Sequence, residues 1–252
     1  MPAARLDTET RDGAFASTRW TMVLEAGKSQ APPEQALGAL SELCRIYWRP
    51  IFQFLRRQGF NPHDAQDLTQ GFFAHLIESR GYARADREQG RFRSFLLGAL
   101  KYFVAHVRAH DRAQKRGGGM VLAELDEAAI AEAEAHAAAR EAWSPERVYE
   151  REWAEALLRR ALDRLAEESA LAGKAELFER LNAHLSVTSD AVLSYDELAV
   201  QLGRPATTLR SDVARLRSRY RAILREEVRG TVAEASEVDA ELRHLCETLA
   251  AA

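Results

Sequence analysis

Between Arg204 and Arg225 the chain carries seven arginines (Arg204, Arg210, Arg215, Arg217, Arg219, Arg221 and Arg225) against a single acid, Asp212. Guanidinium groups at that density suit phosphate oxygens, and the nearby Thr207, Thr208 and Ser211 add hydroxyls of a length that reaches base edges. A second basic block runs from Arg91 to Arg116, where Arg91, Arg93, Lys101, Arg108, Arg112, Lys115 and Arg116 face one acid, Asp111. Between the blocks, residues 117–152 hold nine acids and three arginines, and residues 226–252 hold seven acids and two arginines. The formal net charge of −3 therefore conceals two candidate polyanion-binding surfaces on a chain that is acidic elsewhere.

Other reactive side chains do not assemble into catalytic patterns. His106 and His110 stand at the i, i+4 spacing of a helical metal pair, but the glutamate of H-E-x-x-H is missing between them. The glycines of "RGGG", Arg116 to Gly119, are not followed by the Lys-Ser/Thr that a phosphate-cradling loop needs. Cys44 and Cys246 are far apart in sequence and form no metal or redox motif, which fits a reducing, cytoplasmic setting. Nothing resembles an activated nucleophile, so the chain reads as a binding protein rather than an enzyme, with no cofactor or metal expected. No apolar run approaches the roughly 20 residues that span a bilayer, so membrane insertion is not expected.

The elements that must position these residues read as helices throughout. Composition is rich in Ala, Leu, Glu and Arg, and 46% of residues are hydrophobic, enough for a core in each of two small domains. Residues 1–30 read as a flexible extension. Leu37, Leu40, Leu43, Cys44, Tyr47, Trp48, Ile51, Phe54 and Leu55 recur at helical spacing around Pro50, a site for a kink or break. A turn at Gly59 to Pro62 precedes a helix with Ala65, Leu68, Phe72, Phe73 and Leu76 on its apolar side. A third helix carries Phe92, Phe95, Leu96, Ala99, Leu100, Phe103 and Val107 and turns basic towards its end. These helices define a first domain over 31–116. An Ala/Glu-biased linker over 117–145 separates it from a second helical domain over 146–226. An acidic, partly helical extension closes the chain at 227–252.

Within the second domain, "SYDELAVQLGRPATTLRSDVARLRSRY", Ser194 to Tyr220, has the punctuation of a helix-turn-helix. Ser194 with Glu197 predicts a capping box, Leu198, Ala199 and Leu202 a buried stripe, and Gly203 a sharp turn. Pro205 opens the next helix, on which Leu209, Val213, Leu216 and Tyr220 face inward. Thr207, Thr208, Arg210, Ser211, Arg215, Arg217 and Arg219 then fall on exposed or flanking faces. Early residues would meet bases and later arginines phosphates, as insertion into a DNA major groove requires.

The upstream half adds a second likeness. "NPHDAQDLTQGFFAHLIESR" resembles the polymerase-binding helix of bacterial sigma factors, whose pattern is approximately D-A-E-D-L-x-Q-E-x-F; Asp64, Ala65, Asp67, Leu68, Gln70 and Phe73 match it. Gln66 and Gly71 stand where acids are usual. "GRFRSFLLGALKYFVAHVRAHDRAQKR" is similar to the following sigma segment, and the helix-turn-helix to that of sigma domain four. The ordered set resembles the extracytoplasmic-function (ECF) sigma factors, as a divergent subgroup with N- and C-terminal extensions. Arg204 and Asp212, and the long lead-in from Leu157 to Ser194, depart from the usual pattern.

The resemblance implies an all-α fold with sigma domains two and four, and core RNA polymerase and promoter DNA as partners. Asp64, Gln66, Asp67, Gln70 and Phe73 would contact polymerase. Arg91, Arg93, Lys101, Arg108, Arg112, Lys115 and Arg116 would engage the −10 element, with the 79–91 loop holding a flipped base. Thr207, Thr208, Arg210, Ser211, Arg215, Arg217 and Arg219 would read the −35 element. An anti-sigma factor is a further partner class, and Thr69, on the polymerase-binding helix, is a candidate site for a protein kinase. The acidic tail is expected either to mask a basic surface, so that deleting 230–252 raises DNA binding, or merely to keep the chain soluble. Two other functions fit the residues alone: a stand-alone helix-turn-helix regulator that does not bind polymerase, and a helical signalling adaptor.

Overall fold

The computed structural model describes Arg19, Val23 and residues 34–78, 91–114, 143–185 and 193–251; the side chains of 35–37 and 110–114 lie outside that set. In chain order the described elements are α1 (Glu34–Arg57), α2 (Pro62–Glu78), α3 (Phe92–Gln114), α4 (Pro145–Leu171), α5 (Ala175–Leu181), a 3-10 turn (Asn182–Leu185), α6 (Tyr195–Leu202), α7 (Ala206–Arg229), a second 3-10 turn (Ala235–Glu237) and α8 (Val238–Ala250). The all-helical expectation holds over these residues, whose β-pairing is confined to an isolated antiparallel bridge between Arg91 and Val232.

Local chemistry sets the element ends. Gly59 takes φ +92°, a left-handed conformation that turns the chain between α1 and α2. Asn61 Oδ1 then accepts the Asp64 backbone N–H at 2.8 Å, which caps α2. Ser144 accepts from the Arg147 N–H, and Pro145 occupies the first position of α4, where its missing N–H costs nothing. α1 continues through Pro50 rather than breaking there. Both flanks of the proline belong to one buried face, with Ile46, Tyr47, Ile51, Phe54 and Leu55 all at most 2% exposed. That packing outweighs the single intrahelical hydrogen bond the proline forgoes.

α1 packs against α2 and along α4, and α4 packs along α7. The main core collects Leu43, Tyr47 and Phe54 of α1, Phe72 and Leu76 of α2, and Phe92, Leu96 and Leu100 of α3. It also takes Tyr149, Trp153 and Leu157 of α4, and Val228, Val232, Val238 and Leu245 of the C-terminal region. Residues on both sides of the expected 117–145 linker, of which 117–142 lie outside the described residues, thus share one core, because the first turns of α4 are aromatic and face α1. The C-terminal region is likewise not an appendage. Two smaller clusters, Ala161 with Leu165, Phe178 and Ile223, and Leu181 with Leu198, Leu209 and Val213, extend the packing beneath α6 and α7. No helix among the described residues is long and apolar enough to cross a membrane.

Candidate nucleic-acid interface

The helix-turn-helix forms as its residues dictate. The Ser194 Oγ accepts the Glu197 N–H at 3.2 Å, and the Glu197 carboxylate accepts the Ser194 N–H at 2.7 Å. That backbone hydrogen bond holds the Glu197 carboxyl below its ordinary pKa. Gly203 ends α6 at φ +61°, a conformation strained for any residue with a Cβ. Pro205 sits at the N-cap of α7 rather than at its first helical position. Leu198, Leu209 and Val213 are buried between the two helices, and Leu202 and Leu216 pack partly against them. Thr207, Arg210, Ser211 and Arg215 are left exposed on α7, with Thr208 half-buried.

The arginines in and just before α7 are unequally engaged. Arg217 donates from Nε and Nη2 to the carbonyl of His184 at 3.1 and 2.6 Å, tying the 3-10 turn to the helix. Arg219 grips Glu168 of α4 with two hydrogen bonds of 2.7 Å, which raise its pKa and lower that of the glutamate. Both residues were expected at DNA; the structure uses them to fasten α7 to its supports. Arg215 pairs with Asp212 at 2.5 Å but leaves 73% of its side chain exposed. Arg204 approaches the same aspartate at 3.1 Å, which accounts for two departures from the family pattern as one local ion cluster. Arg210 differs from all of these: it has neither a carboxylate nor a carbonyl partner among the described residues and lies over the Tyr195 ring, 5.2 Å from its centroid.

Among the described residues, the basic side chains of the first block are largely engaged within the fold. Arg93, 5% exposed, donates to Glu241 and Glu150 at 2.6 Å each and lies 5.0 Å from the Trp153 ring centroid. A guanidinium so enclosed has no face for a phosphate, which corrects the expectation for Arg93. Arg91 lies 3.1 Å from Glu241, and its backbone bridges Val232. Arg108 donates to the Gln58 carbonyl at 2.8 Å and stacks on Phe60. Lys101 pairs with Glu146 at 2.8 Å while about half of its side chain remains accessible (49%). The side chain of Arg112, and Lys115, Arg116 and residues 79–90, lie outside the described residues. One aromatic on α3 is openly presented: Tyr102 is 74% exposed, whereas Phe92 is fully buried and Phe95 and Phe103 pack on the core.

On α2 the acidic face is partly as expected. Asp64 is exposed, and Asp67 is half-buried with His63 Nδ1 at 3.1 Å. Gln70 is half-buried. Gln66 and Phe73, expected to meet polymerase, are only 8% and 9% exposed. They fall on the inward side because the third and tenth positions of the match share a helix face with Ala65, Thr69 and Phe72. Thr69 is completely buried and donates its hydroxyl to the Ala65 carbonyl at 2.6 Å, so a kinase cannot reach it in this fold.

Two participants escaped the sequence reading. His184 stacks on Tyr195 with ring centroids 4.8 Å apart and an interplanar angle of 24°. Burial, followed by the charge of Arg217, lowers the His184 pKa from an ordinary 6.5. The unfolded chain therefore binds the proton more readily than the folded one. The neutral imidazole contributes stability above about pH 6.5, and that contribution is lost as pH falls through the lower folded value. Urea midpoints of wild type and His184→Phe should diverge as the buffer is taken from pH 7.5 to pH 5, with wild type losing more. Parallel pH dependence would remove the role of His184. No short motif announces this pair, since His184 belongs to a turn and meets Tyr195 only through folding.

Comparison with family models, curated proteins and solved structures finds no match to this chain.

Proposed function

We propose that this chain is a promoter-specificity subunit of the ECF sigma type, which binds core RNA polymerase and directs it to promoter DNA. The reading is carried by the capped helix-turn-helix, which leaves Thr207, Arg210, Ser211 and Arg215 exposed on one helix in the order suited to a major groove. It is supported by the acidic positions Asp64 and Asp67 at the start of α2, which suit an arginine-bearing partner. The polymerase would supply the chemistry, and the chain would supply its address. Run-off transcription of sheared genomic DNA by core polymerase, with and without this protein, tests the proposal. New discrete transcripts are the expected result, and their absence together with failure to co-elute with core polymerase would overturn it.

A stand-alone DNA-binding regulator is the second reading. It is favoured by the fate of the first basic block, in which Arg91, Arg93 and Arg108 are engaged within the protein. Charge reversal at two positions, Asp64→Lys with Asp67→Lys, separates the readings. A sigma subunit should lose polymerase binding by about tenfold or more while its affinity for DNA is unchanged, by the several kcal/mol that like-charge contacts cost at an interface. A regulator would show no polymerase binding to lose.

A further inference from the structure

The arginines expected to read DNA have unequal freedom. Arg215 is held by Asp212, Arg217 by the His184 carbonyl and Arg219 by Glu168. Arg210 has no carboxylate or carbonyl partner among the described residues, yet its guanidinium is not loose: it lies 5.2 Å from the Tyr195 ring centroid. Tyr195 is in turn backed by the His184 ring at 4.8 Å, and the turn bearing His184 is fastened to α7 by both hydrogen bonds from Arg217. Tyr195 itself is fixed as the first residue of the capped helix α6. The result is a run of contacts from His184 through Tyr195 to Arg210, tied back onto the recognition helix by Arg217.

We infer that Tyr195 and His184 form a platform that pre-orients Arg210 as the base-reading arginine of this helix, and that the base it reads is guanine. The inference rests on the DNA-reading function proposed above and assigns its specificity. A guanidinium on an aromatic face keeps its hydrogen-bonding edge free, because the ring engages the flat face and none of the N–H groups in the plane. Two parallel N–H donors match guanine O6 and N7 in the major groove, whereas no other base offers two acceptors there. Holding the fork in place before contact removes rotamer entropy that a free arginine loses on binding. Tyr195 and His184 are thus positioning residues, acting through Arg210.

The test is selection of bound sequences from a randomised duplex library by the full-length protein, comparing wild type with Arg210→Ala, Tyr195→Phe and Tyr195→Leu. Leucine keeps apolar bulk against Leu198 and its neighbours but removes the π face, and phenylalanine keeps the face. Wild type and Tyr195→Phe should enrich a motif with one guanine that Arg210→Ala no longer selects. Tyr195→Leu should weaken preference at that same base pair by about two- to fivefold, the worth of an exposed cation–π contact, with thermal midpoints close to wild type. The Arg210→Ala, Tyr195→Leu double variant should select no differently from Arg210→Ala alone. If wild type enriches a motif and Tyr195→Leu retains all of its discrimination, or loses affinity evenly at every sequence, the platform is overturned while DNA reading stands. If wild type enriches no sequence, DNA reading itself is overturned and the platform falls with it.

Discussion

Arg93→Ala should destabilise the protein by about 3–5 kcal/mol, the scale set by removing one member of a buried ion pair. Arg93 joins three elements: α3, which carries it, α4 through Glu150 and Trp153, and α8 through Glu241. Glu241 is completely buried, so without Arg93 its charge must be carried by Arg91 alone, at 3.1 Å and partly exposed. His244 also touches Glu150 at 3.0 Å, but one ring nitrogen cannot span Glu150 and Glu241 as the guanidinium fork does. Chemical denaturation read by circular dichroism gives the number directly. Arg93→Lys should recover only part of the loss, because one ammonium cannot serve two carboxylates and a ring as a planar fork does. A variant with wild-type stability and reduced DNA affinity would restore Arg93 to the DNA contacts.

Deleting residues 230–252 should abolish cooperative unfolding rather than expose a DNA-binding surface. The deleted segment buries Val232, Val238 and Leu245 in the main core, each at most 3% exposed. Burying such side chains is worth about 1.5–3 kcal/mol apiece, so their loss alone rivals the roughly 5–15 kcal/mol that holds a whole domain together. The same deletion removes Glu241, one of the two carboxylates that hold the buried Arg93 guanidinium, and leaves it Glu150. The Thr231 carbonyl that accepts the Phe92 N–H at 3.2 Å goes with it, opening the start of α3. Thermal melting of the truncated chain should show a broad, low transition. A sharp transition near the wild-type midpoint, with raised DNA affinity, would reinstate the tail as a detachable mask.

The contrast between the two halves of the sequence is instructive. The helix-turn-helix was legible because its signals are local: Ser194, Glu197 and Gly203 act on backbone groups within four residues, and α6 begins and ends where those signals lie. The apolar stripes of α2 and α3 were legible for a related reason, since helical periodicity marks the buried face whatever covers it. Gln66 and Phe73 were misassigned because a family pattern records which residues recur, and the helix turns some of them inward. The ion clusters were invisible. Arg93 and Glu241 are separated by 148 positions, and Arg19 reaches Glu227 across 208.

By itself the sequence determined the helical character of the described residues and a capped turn that presents Thr207, Arg210, Ser211 and Arg215. Only the tertiary structure decided which charges are spent within the fold and which remain available to a partner. Composition counts Arg93 and Arg210 alike. Burial among Glu150, Glu241 and Trp153 makes the first a structural bolt, while contact with Tyr195, and no acidic partner among the described residues, leaves the second exposed. The physical reason is that a charge's role depends on the desolvation and partners it meets in three dimensions, and neither is encoded by its neighbours along the chain.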